Sequence, residues 1–213
     1  MPLLCETYAP ARTGSLEAWS VFGARLDALG EITRPDVNLA VWNRPLPPGI
    51  GPGCARLAAA APFRAAAEGS PEEVVAAVAD VLPGNPPFGL LLDLHELSLC
   101  FALLTGHETV QLRLCGIDGD SCKRFHADAV GLRLLCTYHG AGTEWLPLAG
   151  AAAARGLGGA APPANRLPAG AVALLKGEGL APARGCVHRS PPRGPRDPAR
   201  LLLAIDEPGR IPL

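Results

Sequence analysis

After Gly106 the apolar residues of this chain change their period, and that change constrains the fold more than any other feature of the sequence. Residues 109–115 alternate Val110, Leu112 and Leu114 against Gln111 and Arg113, the two-residue period of a strand with one buried face. Further strands are expected at 124–130, 132–138, 171–176, 185–188 and 200–205. Before Gly106 the pattern is mostly helical. Helices are predicted over 15–32, capped by Ser15, over 54–68 and 71–81, and over 88–105, which is apolar nearly all round and expected to be buried. Ser70-Pro71-Glu72-Glu73 is a helix start with a capping serine, a proline in the first turn and two acids behind it. A short strand at 36–42 interrupts this part, and Pro/Gly-rich loops are expected at 45–53 and 149–169.

Helices first and strands afterwards describe an α+β domain. The expected architecture is N-terminal helices packed on a double-stranded β-helix, a jelly-roll or cupin-like half. Residues 1–108 form the mainly helical part and 109–213 the β-rich part of one compact domain.

Composition narrows the function classes. Hydrophobic residues make up 48 % of the 213 and charged residues 18 %, which excludes a disordered tail. A net charge of -1 gives no general pull toward nucleic acid or an anionic membrane, and neither is expected as a partner. The start of the chain lacks a basic stretch followed by an apolar one, and charges interrupt every long apolar run, so a cytoplasmic protein is expected. The 7 cysteines include no Cys-x-x-Cys pair, and a disulfide framework is not expected.

The residues that carry chemistry are His126-Ala127-Asp128 and, downstream, Cys186-Val187-His188. On a strand, alternate side chains share a face, so His126 and Asp128 point one way and can grip one metal ion. His188 supplies a third ligand. Two histidines and a carboxylate leave coordination positions open, as non-haem iron(II) oxygenases require. Arg200, on the strand after His188, can pair bidentately with a carboxylate or equally with Asp197 or Asp206. A competing site adds cysteine. Cys186 shares the strand face of His188, and Cys122 can join if the chain turns after Ser121, giving a closed zinc site of structural or storage type. His139 lies in a turn near the site and is a candidate lining residue. Glu144 is a candidate to orient a ligand histidine. Trp145 is either core or pocket wall. Arg189 and Arg193 flank the expected mouth.

The His-x-Asp, the distal histidine and the following arginine resemble the pattern of the 2-oxoglutarate and iron(II)-dependent dioxygenases over residues 109–206. The segment with Thr137-Tyr138 and Gly140-Ala141-Gly142-Thr143-Glu144 is similar to their prolyl-hydroxylase-like branch. The resemblance implies iron(II) on His126, Asp128 and His188, with 2-oxoglutarate held by Arg200 and Tyr138. A closer resemblance runs through Cys122-Lys123-Arg124-Phe125-His126-Ala127-Asp128, Leu134-Leu135-Cys136-Thr137-Tyr138, Gly142-Thr143-Glu144-Trp145-Leu146-Pro147, Leu175-Lys176-Gly177 and His188-Arg189-Ser190-Pro191-Pro192. These are similar to the bacterial domain-of-unknown-function family eighteen-twenty-six. Its members accompany zinc-responsive gene clusters, which makes zinc a candidate metal. The sequence departs from that family at Leu148-Ala149-Gly150, where a more polar stretch is expected.

The functional expectation is an oxygenase acting on an unassigned small-molecule or peptide substrate. The alternative is a non-catalytic zinc-binding protein, a carrier, sensor or homeostasis factor. A zinc hydrolase has less support, because no general-base pair accompanies the ligands.

Overall fold

The structure is a computed structural model that describes residues 19–119, 122–147, 151 and 163–210. Ser15 and most of the loop expected at 149–169 lie outside the described residues.

Seven strands form the main sheet: β1 (Ser20–Gly23), β2 (Leu39–Trp42), β3 (Phe63–Gly69), β4 (Val110–Ile117), β5 (Leu132–His139), β8 (Val172–Lys176) and β10 (Arg200–Asp206), in the order β1-β2-β8-β5-β10-β4-β3. A smaller sheet has the order β7-β6-β9, from β6 (Glu144–Trp145), β7 (Asn165–Arg166) and β9 (His188–Arg189). The helices are a 3-10 helix at Leu26–Thr33, α1 (Gly51–Ala59), α2 (Pro71–Val81) and α3 (Phe88–Thr105). The expected α+β class holds at this level, as a mixed architecture of helices with two sheets.

Three layers follow from alternation along the strands. On one face of the main sheet, Leu112, Leu114, Leu134, Cys136, Tyr138, Leu174, Leu203 and Ile205 pack with Cys54, Leu57, Val74, Val78, Leu94 and Phe101 of the helices. On the other face, Leu39, Val41, Leu135, Ala173, Leu175 and Ala204 pack with Trp145 and Cys186. The central strands β2, β8, β5 and β10 are therefore apolar on both faces, which explains why the alternation weakens in β5 and β8.

Several helix assignments read from the sequence change. Residues 54–68 hold the end of α1 and then the strand β3. Its Ala-rich Arg64-Ala65-Ala66-Ala67 has helical propensity, but seven register pairs with β4 hold it extended. Over the described part of the helix expected at 15–32, from residue 19 on, the chain forms β1 and the 3-10 helix instead. A Cβ at Gly23 would collide with Ala28, so the chain bends sharply there. β1 runs parallel to β2. The first 108 residues thus lend three strands to the sheet as well as all the described helices.

α2 starts as expected: the Ser70 hydroxyl accepts from the Glu73 amide at 3.3 Å, and the Glu73 carboxylate accepts from the Ser70 amide at 2.9 Å. α3 buries Leu90, Leu94, Leu97 and Phe101. It is not buried all round, because Phe88, Leu92, Leu99 and Leu103 are exposed. By length and mean hydropathy of 1.6 it could cross a membrane, a test that a partly buried core helix also passes. It ends at Gly106, whose φ of 72° is the left-handed conformation a glycine cap adopts without penalty.

Candidate metal centre

The segment expected as a strand at 124–130 is an arm that forms a single β-bridge. The His126 amide donates to the His188 carbonyl at 3.0 Å, and the His188 amide donates to the His126 carbonyl at 2.9 Å. Residues exchanging both bonds sit directly opposite one another, so their side chains leave the same face. Asp128, two residues on, returns to that face. Trp145 pairs with His188 on the other side and joins the same row.

The result brings together the three residues first singled out in the sequence. Ligand atoms of His126, Asp128 and His188 all lie within 4.8 Å of one another. Asp128 stands 3.6 Å from His126 Nε2 through Oδ1 and 3.4 Å from His188 Nε2 through Oδ2. These distances are too long for good hydrogen bonds and short enough for one ion to lie between.

The backbone fixes which nitrogen faces the centre. His126 Nδ1 is 2.9 Å from the Arg124 carbonyl, and His188 Nδ1 is 3.1 Å from the Cys186 carbonyl. A carbonyl can only accept, so each Nδ1 carries a proton, and each Nε2 presents a lone pair when its ring is neutral. Asp128 raises the His126 pKa, the mark of a carboxylate facing that Nε2. Burial tends to raise the Asp128 pKa, but His126, His188 and Arg133 outweigh it and hold it down to about 2. His188, almost wholly enclosed, is pushed below its ordinary value by burial. Asp128 Oδ2 is buried and has no hydrogen-bond partner. A buried carboxylate oxygen left bare is costly, and a cation is the partner that this donor set fits.

Two features that the sequence reading missed hold Asp128 in place. Arg133 Nη1 donates to Asp128 Oδ1 at 2.7 Å, and Arg133 Nε donates to Asp206 Oδ1 at 2.7 Å. Asp206, fully buried, takes a second bond from Arg113 at 2.5 Å. The only sequence signal for Arg133 is its place at the start of the next strand, on the same face as Leu135. The second feature is a glycine. The Glu178 amide donates to the Asp128 carbonyl at 2.7 Å, which brings the backbone at Gly177 against the carbonyls of Asp128 and Val130. Any Cβ at 177 would meet those carbonyls.

Arg200 is buried, with 4 % of its surface exposed, at the start of β10. It donates to the Ala141 carbonyl at 2.6 Å and the Ser190 hydroxyl at 2.9 Å, with the Thr143 hydroxyl 3.5 Å away. No carboxylate lies within salt-bridge distance of it among the described residues. The alternative ion pairs fail because Asp206 belongs to Arg113 and Arg133, while Asp197 bonds the Gly194 amide. Burial, with Arg166 adding repulsion, pushes the Arg200 pKa down to about 10. Ser190 is two residues beyond His188, which places this guanidinium at the end of β9, the strand of the distal ligand.

Other candidate residues are elsewhere. Tyr138 does not face this centre. It points to the helix side of β5, and its hydroxyl donates to Asp93 at 2.5 Å, where Arg44 also binds. Its even position on the strand puts it opposite Thr137. Glu144 does not touch a ligand histidine: it pairs with Arg166 at 2.6 Å and Arg189 at 2.8 Å. Neighbouring Trp145 takes the inner face, so Glu144 takes the outer one. Cys186 packs among Leu135, Trp145 and Leu175 and lies outside the ligand cluster. Cys122 is exposed and, with Lys123, Arg124 and His126, lines an open depression of about 360 Å³. His139, half-buried at the end of β5, is also outside the cluster. Arg189 lies over the Phe125 ring at 4.1 Å, and Arg193 is tied to the carbonyls of Asp118 and Asp197. Trp145 is wall and core at once, with the half-exposed Phe22 ring 5.7 Å away.

The chain belongs to the family described as protein of unknown function (DUF1826), whose model matches residues 23–206. No curated protein is significantly similar in sequence. Among solved structures, full-length T7H of Neurospora crassa, crystallised with alpha-KG, is similar at 14 % identity and a TM-score of 0.43, covering 88 % of this chain and 80 % of that one. A Shewanella oneidensis protein provisionally named an oxygenase is similar at 9 % identity and a TM-score of 0.46, covering 90 % and 91 %. AviO1 of Streptomyces viridochromogenes is similar at 16 % identity and a TM-score of 0.40, covering 88 % and 97 %.

Proposed function

We propose that this protein is an iron(II) and 2-oxoglutarate-dependent oxygenase. The observation that carries the reading is the convergence of two histidine Nε2 atoms and the bare Asp128 Oδ2, with Arg200 buried without a carboxylate on Ser190, two residues beyond His188. The topology supports it. β4, the 122–130 arm, β5, β6, β7, β8, β9 and β10 divide between the two sheets as β8-β5-β10-β4 and arm-β9-β6-β7. That interleaving is the strand order of a double-stranded β-helix.

His126, Asp128 and His188 would hold the metal, and Arg200 with Ser190 would hold the far carboxylate of 2-oxoglutarate. When bound, iron(II) and 2-oxoglutarate supply the oxidising chemistry with dioxygen that hydroxylates a substrate. The protein's own contribution is placement. Arg133 aims Asp128, the Arg124 and Cys186 carbonyls fix the histidine tautomers, and Trp145 screens the inner face from water. Three ligands leave positions open, and the described residues offer no cysteine to close a four-ligand zinc site. That counts against the storage reading.

The test is anaerobic purification, addition of iron(II) and 2-oxoglutarate, admission of oxygen, and measurement of succinate. Succinate should form, and His126→Ala should abolish it. Arg200→Met should raise the 2-oxoglutarate concentration needed by tenfold or more while metal affinity stays within twofold. Stoichiometric zinc that iron cannot displace, with no succinate, would overturn the reading.

A further inference from the structure

A second cavity, of about 550 Å³, opens on the helix side of the main sheet, on the opposite face from the metal centre. Trp19, Ile32, Val37, Leu104, Leu132, Leu180 and Arg184 give it an apolar wall with one cation at its rim. Lys176 forms part of its floor. This lysine is 7 % exposed, and its ammonium has a single bond, to the Arg34 carbonyl at 2.5 Å. No carboxylate lies within salt-bridge distance of it among the described residues. The one acid in the cavity wall, Asp36, is held bidentately by Arg34 at 3.1 Å and 2.7 Å. Arg184 rests over the Trp19 ring at 4.8 Å and reaches the Pro35 carbonyl at only 3.5 Å. Burial, with repulsion from Arg184, outweighs the attraction of Asp36 and lowers the Lys176 pKa, the direction expected for an enclosed cation beside another cation. A buried ammonium, an exposed guanidinium and an aromatic ring therefore meet an apolar hollow whose one carboxylate, Asp36, is turned to Arg34, which also binds Glu31. A buried ammonium bonded to a carbonyl calls for an anion.

We infer that this cavity is a binding site for a small aromatic carboxylate, its acid group between Lys176 and Arg184 and its ring against Trp19, Leu104 and Leu132. The same site is wired to the metal centre, an inference that rests on the metal reading. The wall at 180–184 belongs to the segment between Gly177 and Cys186. At one end of that segment the Glu178 amide holds the Asp128 carbonyl. At the other, the Cys186 amide binds the Lys176 carbonyl at 2.8 Å while the Cys186 carbonyl orients His188. A ligand that draws Lys176 and Arg184 together moves both anchors, so it changes metal affinity, and the metal reciprocally changes the affinity for that ligand.

The test uses the full chain with benzoate as probe and benzamide as the uncharged control, followed by amide chemical shifts in metal-free protein. Saturable shifts centred on Asn38, Lys176 and Arg184, at least tenfold weaker for benzamide, are expected. Arg184→Gln and Lys176→Met, the latter keeping the alkyl packing, should each weaken benzoate tenfold or more with the remaining spectrum unchanged. No saturation, an equal response to benzamide, or undiminished binding in Arg184→Gln would overturn the site. A cobalt(II) titration with and without saturating benzoate reads the coupling: a shift of threefold or more is expected, and none would overturn it. If cobalt(II) fails to bind at all, the metal reading fails while the benzoate result stands alone.

Discussion

At the scale of single residues, the centre depends on groups that never touch the ion. Arg133 carries two carboxylates, Asp128 and Asp206, and removing it leaves both short of a partner. Replacing such an orienting partner typically lowers metal affinity by about 10–100-fold. Arg133→Met should therefore weaken cobalt(II) binding by about that factor without touching a ligand. Competition against a chelator of known strength measures this, and unchanged affinity would show that Asp128 holds its place unaided. Glu144 offers a test away from the centre. Burial would raise its pKa, but Arg166 and Arg189 outweigh that and hold it below the ordinary 4.5. A carboxylate depressed in the folded state contributes stability above its unfolded value, and the contribution is lost as pH falls through the folded one. Glu144→Gln should cost about 1–3 kcal/mol at neutral pH. Urea unfolding should show the gap to the wild type closing as pH drops below 4.5. A gap independent of pH would mean that the pair contributes nothing as a charge.

At the scale of elements, how much the sequence told depends on whether local pattern or distant pairing decided the structure. α2 and α3 were legible because their signals are local: the Ser70 capping box, helical spacing and the Gly106 stop. β4 was legible by its alternation, and β5, β8 and β10 as apolar runs between turns. β3 was not, because Arg64-Ala65-Ala66-Ala67 becomes a strand only by pairing with β4, forty-odd residues later in the chain. β1 was missed for the same reason, since its partner β2 lies beyond a 3-10 helix. The ligand arm was read as a strand because His126-Ala127-Asp128 alternates, and alternation did place both side chains on one face. The reading of Tyr138 failed on the same rule: its even position in β5 sends it to the helix side. Arg133 was overlooked because a charge at a strand start ordinarily means solvent. The arm itself hangs on Gly177. Gly177→Ala would drive a methyl into the carbonyls of Asp128 and Val130. It should weaken metal binding by tenfold or more and speed hydrogen exchange at Glu178 and Gly179. Exchange and affinity like the wild type would show that the hairpin yields freely.

At the scale of the molecule, the three layers divide the work. Helices cover one face of the main sheet and enclose Asp93, Arg44 and Tyr138 in a bonded cluster that ties α3 to β5 and to the chain after β2. The other face is left to the small sheet and the ligand arm, where the inward positions are Trp145, His126 and His188. The sheet lends rigidity to two of the anchoring residues, Arg133 and Arg200, at opposite ends of their paired strands. The arm, held by one β-bridge, by Arg133 and by the hydrogen bonds of Glu178 and Gly179, gains a further tie to β9 when an ion links His126 and Asp128 to His188. The central claim is that these three side chains hold one divalent ion. Anaerobic iron(II) titration of the wild type and of Asp128→Ala, read by equilibrium dialysis, tests it most directly. The account predicts one ion per chain in the wild type and affinity lower by at least a hundredfold in Asp128→Ala. Equal binding by the two proteins, or none by the wild type, would contradict it.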